Sequence, residues 1–217
     1  MRRSLLISQR LLIAVVVATI ASVGVAYGAS LGLGSKKLHA WNQTLTKGTC
    51  NQTSTTADDT YVQQALPTST TGGAATTLTI SPVAAAQDYV FIRFNLSGCS
   101  LPTTAGADSA VLTVRVTTSG NDTISLLPVT SSWSSSTLTW NGVSGLTIGS
   151  TATGTFSAST TGNKTVTVTA DVDAAIKAGT LWGWELRATS GTATVAIGAA
   201  ENGTAANRPS MTLNDEK

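Results

Sequence analysis

Gln87-Asp88-Tyr89-Val90-Phe91-Ile92-Arg93-Phe94-Asn95-Leu96 is the stretch that decides the fold. Val90, Ile92, Phe94 and Leu96 share one face of an extended chain, and Tyr89, Phe91, Arg93 and Asn95 share the other. The period is two, so this is a strand. One face suits a core. The other is amphipathic and suits partial cover. The strand stops at Ser97-Gly98-Cys99.

The same pattern repeats on both sides. Asp59-Thr60-Tyr61-Val62 reads as a first strand, and Thr76 to Ile80 places Leu78 and Ile80 together. Downstream, Ala110, Leu112, Val114 and Val116 alternate with Thr113, Arg115 and Thr117. Ser119-Gly120-Asn121-Asp122 is a turn signal, so Thr123 to Val129 is expected to return as the second arm of a hairpin. Thr151 to Ser159, Lys164 to Thr169 and Arg208 to Leu213 are further strands. Thr180 to Ala188 and Thr192 to Ile197 read as another hairpin, with Trp182 and Trp184 on the core side. Asp171 to Ala178 reads as the one short helix, capped by Asp171 and ended by Gly179. Short strands at regular spacing predict an all-β, antiparallel β-sandwich of jelly-roll type with one short helix.

Composition agrees. Only 11% of the 217 residues are charged, and Thr and Val favour a pleated surface. From Lys36 onward there are ten basic and eleven acidic residues, so no basic field is offered to nucleic acid.

The first 29 residues differ. Three arginines precede an apolar run from Leu11 to Val25, and small residues follow. This is the layout of a signal peptide or an uncleaved signal anchor, and either predicts export. The chain would then be secreted, or held on the outer face of the plasma membrane by this segment alone. Residues 30–57 read as a linker and 58–217 as the sandwich domain. His39, the only histidine, falls in the linker. Cys50 and Cys99 are the two cysteines, and in an exported chain an even pair predicts one disulfide.

Between two strands lies Trp133-Ser134-Ser135-Ser136-Thr137-Leu138-Thr139-Trp140-Asn141. Two large rings in a Ser/Thr connection suit either a plug across the sandwich or a platform for a ligand. For a sugar, flat rings stack on apolar faces and fixed polar groups meet hydroxyls. Trp133, Trp140, Tyr89 and Tyr61 supply rings. Arg93, Arg115, Arg187 and Arg208 supply forked donors that also suit uronate carboxylates. The ligand-binding candidates are Trp133, Trp140, Tyr89, Arg93 and Arg115. Arg93 has a second reading, as an ion-pair partner of Glu201 or Asp59. Asp58, Asp59 and Glu201, near the two ends of the domain, are the candidates for calcium, which takes several oxygens. No cofactor is otherwise expected. No spacing selects a catalytic pair, and a domain without histidine has no Ser–His chemistry.

Taken in order, Asp59-Thr60-Tyr61-Val62, Tyr89 to Ser97, Ala110-Val111-Leu112, Trp133…Leu138-Thr139-Trp140-Asn141, Val168 to Val172 and Glu201…Arg208 to Leu213 resemble the DNRLRE-domain family. That family is related to disaggregatase-type repeats and to carbohydrate-binding module family ninety-six. The chain departs from the family pattern after Trp133, where serines replace an acidic residue, and at Ala199-Ala200-Glu201. The resemblance implies a jelly-roll sandwich on an exported protein and a non-catalytic polysaccharide-binding function. The alternative is a structural or adhesive surface sandwich that binds protein.

Overall fold

The computed structural model describes residues 47–52, 57–99 and 106–216. The expected signal segment, His39 and most of the expected linker lie outside the described residues. Among the described residues no helix is long and apolar enough to cross a membrane.

Among the described residues eleven strands form two antiparallel sheets. They are β1 (Lys47–Gln52), β2 (Ala57–Gln63), β3 (Thr77–Ile80), β4 (Asp88–Phe94), β5 (Ala107–Thr118), β6 (Thr123–Pro128), β7 (Gly154–Ser157), β8 (Gly162–Thr167), β9 (Trp184–Ser190), β10 (Val195–Gly198) and β11 (Ser210–Glu216). The first sheet runs β1-β11-β5-β10-β3, with β8 paired to β5, and the second runs β2-β4-β9-β6-β7. From β1 to β6 every connection changes sheet, as a jelly roll requires.

The alternation read from the sequence holds. Ala110, Leu112, Val114 and Val116 on β5 are buried, and they pack with Val90, Ile92 and Phe94 on β4 in one core. Burying a side chain of this size contributes roughly 1.5–3 kcal/mol, so these two inner faces hold the sheets together.

The pairing differs from expectation. β5 and β6 do not form a hairpin, because β5 pairs β11, β10 and β8, while β6 pairs β9 and β7. β9 and β10 likewise stand in opposite sheets. Alternation tells which side of a strand is apolar, but not which neighbour takes its backbone groups. Here the turns cross between layers, so that Ile124 and Leu126 meet the core. β1 is a second departure, since Lys47–Gln52 was expected as linker. It has no apolar alternation and is held by its ladder to β11.

Among the described residues two α-helices form where one was expected. The one-turn α1 (Trp140–Val143) is capped by Thr139, whose Oγ1 accepts from the Gly142 N–H at 3.2 Å. A single turn is too short to show a period. The longer α2 (Thr169–Ala178) begins before Asp171, which is not its cap. Asp171 Oδ2 instead accepts from Trp184 Nε1 at 2.6 Å and from the Thr153 hydroxyl. Two partners in the interior outweigh one cap bond. At the other end Gly179, at φ 75°, closes α2 as expected, with Thr180 N–H on Ala175 O and Gly179 N–H on Ile176 O.

Candidate functional site

Phe91 explains why the second sheet has a covered outer face. It points away from the main core and is nevertheless fully buried. A strand that is apolar on both sides must be covered on both. The cover comes from the connection between β6 and β7, where Val129, Trp133 and Leu138 are buried and Trp140, Val143, Leu146 and Ile148 are partly so.

Trp133 is the plug of this cover. Its ring lies 5.8 Å from Phe91 between centroids, and its Nε1 donates to Trp182 O at 2.7 Å. Only 6% of it is exposed. Arg93 sits beside it, with Cζ 4.9 Å from the Trp133 ring and 5.4 Å from the Trp182 ring. The Arg93 guanidinium donates from Nε at 2.9 Å and from Nη2 at 2.6 Å, both to Asp58 Oδ2. Its ion-pair partner is therefore neither Glu201 nor Asp59. Asp58 is directly opposite Arg93 in the β2–β4 register and so shares its face.

Trp182 and Trp184 part company, contrary to the expectation that both belong to the core. Trp184 is fully buried in the main core, whereas Trp182 joins the outer cluster. Gly183 separates them at φ 77°, and a Cβ there would lie 2.0 Å from Ile92 O. The alternation resumes only after this glycine.

Four residues along β4 from Arg93, roughly 13 Å away at strand rise, is a second aromatic group. Tyr89 and Trp140 are half-buried, with ring centroids 4.8 Å apart at 37°. Arg187 Cζ lies 6.0 Å from the Tyr89 ring. Its Nε is 3.4 Å from Oε1 of Glu185, which is 1% exposed. Burial pushes the Glu185 carboxyl up and the Arg187 charge opposes this. The ion pair engages Nε, and the Arg187 side chain, 39% exposed, lies beside the rings.

The predicted ligand candidates thus divide. Tyr89, Arg93, Trp133 and Trp140 gather on this face. Arg115 does not, since it stands on β5 in the other sheet with Nη1 3.4 Å from Asn163 Oδ1. Arg187 completes the group. Its signal in the sequence was its place two residues after Glu185 on an alternating strand.

The calcium candidates do not converge. Asp58 points outward to Arg93, while Asp59 points inward, is 1% exposed, and accepts from Ala200 N–H at 2.8 Å. Successive residues of a strand face opposite ways, which separates neighbours in sequence. Asp59 does meet Glu201, and its carboxyl is pushed up to about 8, chiefly by burial and further by the Glu201 charge. Among the described residues no three His, Cys, Asp or Glu side chains form a metal cluster. Cys99 is buried, and the side chain of Cys50 lies outside the described residues.

A two-sheet sandwich with a partly buried ring pair and an arginine on one sheet face has the form of a binding module. Residues 51–215 match the model of carbohydrate-binding module family 96, and the chain belongs to that family. It is a non-catalytic carbohydrate-binding module. No curated protein matches the chain.

Proposed function

We propose that this module binds polysaccharide on the outer face of the β2-β4-β9-β6-β7 sheet, at Tyr89, Trp140 and Arg187, outside the cell. The partly buried Tyr89–Trp140 pair beside Arg187 carries the reading. Rings of this kind stack on sugar C–H faces, and a forked guanidinium takes hydroxyls or a uronate carboxylate. A uronic-acid-containing polymer is therefore the favoured ligand. Arg93 and Trp133 support the face from beneath, and Arg115 takes no part. The arginine-led apolar segment in residues 1–29 supports export. We also infer a Cys50–Cys99 disulfide, which suits that compartment.

Affinity electrophoresis tests the reading. The protein is run through gels containing neutral and uronic-acid polysaccharides. Retardation by a polymer is expected, and it should be lost in Trp140→Ala and in Arg187→Ala with the circular dichroism unchanged. Retardation that persists in both variants would place the glycan elsewhere. No retardation by any polymer would overturn the reading.

A further inference from the structure

A separate cleft of about 600 Å³ opens where the end of β4 meets the C-terminus of α2. We propose that it is a second binding site, one that takes a neutral, hydroxyl-bearing sugar unit. The inference rests on the carbohydrate-binding reading and adds a site apart from the Tyr89–Trp140–Arg187 group.

The size falls within the range of roughly 300–1,000 Å³ usual for ligand pockets. Leu96, Ile176 and Leu181 provide apolar wall, and the half-buried Trp182 provides an indole. Asp58 and Arg93 supply the charged part. Arg93 uses Nε and Nη2 on Asp58 Oδ2. Among the described residues, Nη1 of Arg93 and Oδ1 of Asp58 make no hydrogen bond. That leaves Nη1 of Arg93 to donate and Oδ1 of Asp58 to accept in the cleft lining, and a sugar hydroxyl can both accept and donate. Asn95 at the rim accepts from Ser97 N–H at 2.9 Å through Oδ1, so its amide donors stay available.

Charge selects the sugar class. The Asp58–Arg93 pair is neutral overall. The C-terminal turn of α2 reaches the cleft at Gly179 and Thr180 and presents the negative end of the helix dipole. A uronate carboxylate placed here would meet Asp58 and that dipole, with the Arg93 charge already offset by Asp58. A neutral unit meets no such repulsion.

Two exposed residues on the cleft wall, Thr180 and Ser97, allow it to be filled without cutting into the core. Calorimetric titrations of the full chain would use cellotetraose, xylotetraose, mannotetraose and tetragalacturonate. At least one neutral tetrasaccharide should bind. Thr180→Trp and Ser97→Trp should each weaken it by at least about tenfold, or about 1.4 kcal/mol, at unchanged melting temperature. Trp140→Ala should leave that affinity in place. Failure of every neutral sugar to bind would overturn the proposal, as would neutral affinity that survives both fillings. If neutral affinity falls with Trp140→Ala alone, the cleft is wrong and the sheet-face site stands. If the gels also show no retardation, the sheet-face reading fails as well.

Discussion

Replacing Trp133 by alanine separates a plug from a ligand platform. Trp133 is 6% exposed, packs on Phe91 and Arg93, and holds Trp182 O through Nε1. Truncating a buried aromatic of this size costs about 3–5 kcal/mol. Leaving Trp182 O without its donor lies within that figure, at about 1–3 kcal/mol. In a folded unit of this length, each kcal/mol lowers the melting temperature by about 2–4 °C, so a fall of at least about 6 °C is expected. Trp133→Phe keeps most of the apolar contact and loses the hydrogen bond, and about 1–3 kcal/mol is expected. The assay is far-UV circular dichroism in urea and on heating, with gel retardation measured on Trp133→Phe below its transition. Retained binding with lowered stability is expected. A loss below about 1 kcal/mol for Trp133→Ala, or full stability with lost retardation for Trp133→Phe, would refute the reasoning.

Three other outcomes follow from single features. Asp59 binds its proton up to about pH 8 when folded, against an ordinary value of 3.8. Its contribution is complete below the ordinary value and is lost as pH rises through 8, with a slope of at most about 1.4 kcal/mol per pH unit. Asp88, Asp122 and Glu185 are also raised by burial and act in the same direction, so the test is the difference between wild type and Asp59→Asn in urea midpoints from pH 5 to 9. The variant should show the shallower fall, and parallel curves would exclude Asp59 as a source. Gly183→Ala forces a Cβ into Ile92 O and strains the backbone, and at least about 2 kcal/mol of lost stability is expected; an unchanged melting temperature would contradict the close approach. Reduction, or Cys50→Ala with Cys99→Ala, should lower the unfolding free energy by about 3–4 kcal/mol, and thiol titration of the native chain should find no free thiol.

Much of the candidate site was legible in the sequence. Tyr89, Phe91 and Arg93 fall on one side of β4 because a strand has a period of two, and the Trp133–Asn141 connection announced itself by two rings among serines. The division of labour between those rings was not legible. Trp133 and Trp140 look alike in the sequence, yet one is buried on Phe91 and the other is only partly buried on Tyr89. Their fates depend on how a loop folds down on a sheet, and no local pattern encodes that path.

The sequence by itself determined the periodic features: an all-β sandwich, the inward faces of β4 and β5, and the left-handed close of α2 at Gly179. These follow from local geometry and from apolar surface that must leave water. Only the tertiary structure decided which strands pair, that Arg93 joins Asp58 while Asp59 turns inward to Ala200 and Glu201, and that Arg115 stands on the far sheet. Backbone hydrogen bonds do not discriminate between neighbours, and a charge finds its partner only when two distant strands are laid side by side.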